Sequence, residues 1–116
     1  MTTSDPKACI QCGLCNSVDP ILTAIKKESA STRYKLVLAK ANKSNQLFFM
    51  ATDTGMQEAV CPASILIGDV FMKMREKNIQ DGITTKQNQE MLAHFKKNGT
   101  PYADLTPEDF HEKQIW

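Results

Sequence analysis

The chain has 116 residues, the size of one small domain, with 41% hydrophobic and 23% charged residues, as in ordinary globular proteins. Fourteen basic residues against thirteen acidic ones give a formal charge of +1, which excludes the basic footprint of a nucleic-acid binder. The longest apolar runs, "YKLVLA" and "SILIGDVFM", are too short to cross a bilayer, and "MTTSDPKAC" has no signal-peptide core. The expectation is therefore a cytoplasmic protein with reduced thiols, in which clustered cysteines suggest metal or redox chemistry.

A polar lead and a cysteine run, "CIQCGLC", occupy residues 1–18. Asp19 and Pro20 then supply an N-cap and a first helical residue ahead of "ILTAIKK". The stretch "YKLVLAKAN" fits a helix, or a hairpin with "QLFFMAT" across "NKSN". Helix is favoured because Ala39, Lys40 and Ala41 are poor strand residues. In "IGDVFMKMREKN", Val70, Phe71 and Met74 share one face opposite Lys and Arg, a helical pattern.

Thr84 and Gln87 have capping-box spacing at the head of "TTKQNQEMLAHFKKNGTP", and Gly99 and Pro101 mark its end. Thr106, Pro107 and the acids of "TPEDFHEKQ" predict one more helix start. The expected fold is mostly α: a core module over residues 1–80 and a helical extension over 81–116. Phe95, Tyr102, Leu105, Phe110, Ile115 and Trp116 could pack that extension on the core or, as favoured here, dock a partner.

The chemistry lies in four cysteines: Cys9, Cys12, Cys15 and Cys61, the last followed by Pro62. Three thiolates at i, i+3 and i+6 suit three corners of a [4Fe–4S] cube, with Gly13 easing backbone approach. In two-cluster ferredoxins the fourth cysteine of one run ligates the other cluster. That logic assigns Cys61 to the cage begun by the first three, and leaves Asp19 at the position that would serve a second. Counting back from Cys61 by the same spacing gives Gln57, Thr54 and Ala51, none a good cluster ligand.

One complete cysteine set and one wholly replaced set point to a single retained cluster. A structural zinc is the alternative, although zinc sites usually pair two C-x2-C hooks. A three-iron cluster follows if Cys61 does not reach. For Asp19, helix capping is preferred over a metal role.

The stretches "CIQCGLCNSVDP", "LFFMATDTGMQEAVCP" and "ILIGDVFMKMR" resemble the small iron–sulfur component, HdrC, of heterodisulfide reductases. More broadly the chain is similar to helical ferredoxin modules, including the one in the anaerobic glycerol-3-phosphate dehydrogenase. The likeness spans residues 5–76 and continues more weakly through "HFKKNGTPYADL". It implies a helical ferredoxin-like fold with Cys9, Cys12, Cys15 and Cys61 as ligands of one [4Fe–4S] cluster.

The resemblance also implies two partners in sulfur metabolism. One is the flavin- and cluster-bearing component of a heterodisulfide-reductase-like complex, and the other is its component that handles a disulfide or thiol. The missing second ligand set departs from the family and speaks against a two-cluster relay inside this chain. The expected role is electron transfer within an oxidoreductase complex, without activity of its own. A free-standing single-cluster ferredoxin is the alternative, against which the near-balanced charge argues.

Backbone N–H groups of Gly13, Leu14, Asn16 and Ser17 are candidates to bond cluster sulfurs, and Ile10, Leu14 and Ile65 to screen them from water. No catalytic constellation competes. His94 and His111 sit among Lys and Glu, the five glycines form no phosphate loop, and Met72, Met74 and Met91 suit packing.

Overall fold

The computed structural model describes residues 2–101. It is mostly helical, as expected, with no strand among the described residues. Five α-helices run α1 Pro20–Ile25, α2 Thr32–Lys40, α3 Met56–Val60, α4 Ile67–Gln80 and α5 Lys86–Asn98. Single 3-10 turns at Pro6–Ala8, Leu14–Val18, Glu28–Ala30 and Gln46–Met50 join them. None of these helices is long and apolar enough to cross a membrane. The chain divides into two compact units, residues 1–83 and 84–116.

In the first unit, α2 and α4 bury one face each around Leu36, Ala39, Phe48, Ile65, Ile67, Val70, Phe71 and Met74. The helical choice for "YKLVLAKAN" holds. "QLFFM" closes as a 3-10 turn rather than a strand, with Asn45 Oδ1 accepting from Leu47 N at 2.9 Å. Long polar side chains of α4 then fix that turn. Arg75 donates to the carbonyls of Phe48 and Ala51, at 2.8 and 3.2 Å, and pairs with Asp53. Asn78, fully buried, both donates to the carbonyl and accepts from the N–H of Asn45, at 2.7 and 3.0 Å. Such pairing lets irregular backbone lie against a core without orphaned polar groups.

Asp19 caps α1 as expected, accepting from Ile21 N and Leu22 N. It also reaches the start of α2, where Thr32 donates through N and Oγ1 at 2.7 and 2.8 Å. One carboxylate therefore ties two helix N-termini together. A parallel bridge between Thr3 and Ile65 stitches the lead to the segment after Cys61. Its bonds run from Thr3 N to Ser64 O at 3.0 Å and from Leu66 N to Thr3 O at 2.7 Å.

In the second unit the cap of α5 falls one residue later than its spacing predicts. Thr85 Oγ1, not that of Thr84, accepts from the N–H three residues on, at Asn88. Thr84 accepts from the Asn88 side chain instead, because a threonine pair lets either hydroxyl take the cap. Gly99 ends α5 in the left-handed conformation its position calls for. The helix start predicted at Thr106 lies outside the described residues, as do His111 and the aromatics from Tyr102 to Trp116.

Candidate metal centre

The cysteine run is shaped by short-range rules. Asp5 accepts from Lys7 N at 2.9 Å and caps the turn Pro6–Ala8, which delivers the chain to Cys9. Gln11 and Gly13 both adopt left-handed backbone, with φ of 61° and 80°. Two such residues, spaced by one, curl the run instead of extending it. Gly13 is needed twice over, since a Cβ there would also stand 3.2 Å from the Arg33 guanidinium. The turn Leu14–Val18 then buries Cys15.

Cys61 arrives from the other direction, at the end of α3, with its N–H bonded to the Glu58 carbonyl. The bridge at Thr3 and Ile65 draws this segment alongside the N-terminal lead. In consequence Cys9, Cys12, Cys15 and Cys61 line a single cavity, walled by apolar Leu36, Ala63 and Ile67, with Arg33 on its rim. All four are free thiols, running from buried Cys15 to exposed Cys12. Among the described residues no three Cys, His, Asp or Glu side chains meet closely enough to grip one ion.

The thiols feel one another. Burial foremost, then the neighbouring sulfurs of Cys9 and Cys12, push the Cys15 thiol up to about 11. Cys61 adds to the rise and a backbone hydrogen bond opposes it. Gathering four thiolates in an apolar cavity is therefore unfavourable unless a cation shares it. The donor set suits iron and sulfide, being four soft sulfurs with no carboxylate or imidazole on the cavity wall.

Other residues serve the cavity that spacing alone does not reveal. Gln11 Nε2 donates to Cys9 Sγ at 3.3 Å. From α2, Arg33, Leu36 and Lys40 turn toward the cysteine run. Lys40 Nζ donates to the Cys9 carbonyl at 3.1 Å, and Arg33 is held by Glu28 at 2.8 Å. Their i, i+3, i+7 spacing is a legible helix stripe, but nothing local says what the stripe faces.

Several expected contributions to the site differ. The N–H of Asn16 is taken by the Gly13 carbonyl at 3.1 Å, because residues 14–18 form a 3-10 turn. Ile10 borders the cavity yet remains 67% exposed, and Leu14 is 51% exposed. Ile65 is buried in the core away from the cavity wall.

The replaced set has its own arrangement. Asp19 and Gln57 are buried, Thr54 Oγ1 donates to Gln57 Oε1 at 3.1 Å, and Ala51 packs against the core. These positions do structural work in a zone free of cysteine. The chain matches no family model and no curated protein.

Proposed function

We propose that this chain is the electron-transfer iron–sulfur subunit of a heterodisulfide-reductase-like complex. It would relay single electrons through one [4Fe–4S] cluster held by Cys9, Cys12, Cys15 and Cys61. The observation that carries the reading is that Cys61, remote in sequence, shares a cavity with the other three cysteines. Bound there, such a cluster supplies one-electron transfer and, with every corner ligated, offers substrate no open site.

The chain's own residues define the rest. Leu36, Ala63 and Ile67 keep water from the buried side, while Arg33 places positive charge at the rim of a site that gathers negative charge. Exposed Cys12, beside exposed Ile10, leaves one edge open to a redox partner. On the family resemblance those partners are a flavin-bearing component and one that handles a disulfide or thiol.

Anaerobic purification with iron and sulfide analysis, and EPR of the reduced protein, tests the cofactor. About four irons and one cubane signal are expected per chain. A protein that binds zinc, or whose Cys61→Ser variant keeps an unaltered cluster, refutes the assignment. Size exclusion from the native host tests the setting: co-elution in a large assembly supports the complex, whereas a small monomer supports a free-standing ferredoxin.

A further inference from the structure

Asp19, Ala51, Thr54 and Gln57 stand where a second cysteine set would by spacing, and one side chain links their surroundings. Lys35, from α2, is fully buried. Its Nζ donates to the carbonyl of Met50, the neighbour of Ala51, at 3.2 Å. The ammonium also lies 5.9 Å from the centroid of the Phe71 ring, within cation–π range. Phe71 in turn shares a cavity wall with Gln57. The charge of Asp19 favours the ammonium, against the burial that disfavours it.

We propose that Lys35 closes this second compartment and thereby fixes the cofactor stoichiometry of the chain at one cluster. The inference rests on the single-cluster reading above. A lysine with its amine in the compartment excludes iron in two ways. It fills the space between the replaced positions, and it places a fixed positive charge where a ferrous or ferric ion would have to enter. Asp19 and the Met50 carbonyl hold that charge in place, and no buried polar side-chain atom among the described residues lacks a partner. The compartment is thus complete without a cofactor.

Two multiple variants decide the matter, each reconstituted anaerobically with iron and sulfide beside the unsubstituted chain. Asp19 is retained in both, since it caps two helices and its carboxylate can ligate iron. A51C/T54C/Q57C with Lys35 intact should stay at the parent's iron content. Adding K35A should raise it by about three or four irons per chain, with a second interacting EPR signal. Loading of a second cluster while Lys35 remains overturns the proposal, as does failure to load after its removal in a chain that keeps the first signal.

Should the fourfold variant lose the first signal too, K35M in the natural chain becomes the deciding variant. It should lower the melting temperature, and lower it less when combined with D19N. An unchanged melting temperature overturns the proposal. A parent chain without iron fails the cofactor reading itself and is told apart by its own assay.

Discussion

Replacing Asp19 by alanine should unfold the first unit far more readily than a surface substitution would. The carboxylate is 1% exposed and accepts from Ile21 N, Leu22 N, Thr32 N and Thr32 Oγ1. Loss of an N-cap costs about 1 kcal/mol. Leaving the buried Thr32 N–H without its charged acceptor costs about 1–3 kcal/mol more, and the stranded hydroxyl adds about 1 kcal/mol. The sum, about 3–5 kcal/mol, corresponds to a fall of about 12 °C or more for a unit of this size.

Thermal unfolding of the iron-loaded protein, followed by circular dichroism and by the cluster's visible absorbance, measures the loss. Asp19→Asn should fall in between, because its amide oxygen can still cap α1 while its NH2 group cannot accept from Thr32. An Asp19→Ala protein that melts within about 2 °C of the parent would refute the capping role. So would loss of iron at an unchanged melting temperature, since that pattern marks a ligand and not a cap.

Cys15→Ser and Cys61→Ser should each abolish assembly of a four-iron cluster, leaving at most a three-iron species by EPR. Arg33→Gln should retain the parent's iron content yet lower the reduction potential by tens of mV, about 59 mV being tenfold in a one-electron equilibrium. An unchanged potential would remove Arg33 from the site's electrostatics. In the cluster-free protein, the folded state holds the Cys15 proton up to about 11 against an ordinary value of 9.0. It therefore binds more protons than the unfolded chain between those values, and stability should fall as pH rises through that window, by at most about 3 kcal/mol. Urea titrations at pH 8.5 and 10.5 compare the two states, and Cys15→Ala should weaken the dependence.

Local chemistry explains what the letters disclosed. Asp19–Pro20 states its own cap, α4 writes its buried face at helical spacing, and "YKLVLAKAN" is settled by poor strand formers. The cysteine set was legible because a cube fixes ligand spacing. What stayed hidden depends on pairs distant in sequence. Nothing in "MTTSD" announces a bridge to Ile65, although that bridge aligns the lead with the segment after Cys61. Lys35 has the appearance of a solvated helix lysine, and only the enclosing Met50 carbonyl and Phe71 ring make its burial tenable. Ile10 and Leu14 were expected to screen because they flank cysteines. A curled loop instead turns neighbours outward in order to turn its sulfurs inward.

Helix α2 brings these observations together. Arg33 and Lys40 attend the cysteine run, whereas Lys35, two residues from Arg33 and thus on another face, enters the compartment without cysteines. Leu36 is buried where it walls the cysteine cavity. One short helix therefore supplies cations to both zones, but with different consequences. At the cavity rim, Arg33 is half-exposed and paired with Glu28, so its charge can ease the gathering of thiolates while leaving the interior free. At position 35 the same sign of charge is buried and already partnered by a carbonyl, which leaves no room for a metal. If this division is right, exchanging the roles should be asymmetric. Neutralising Arg33 should alter a potential, while neutralising Lys35 should alter a fold. Equal effects of both substitutions on melting, with neither affecting the potential, would show that α2 contributes packing alone.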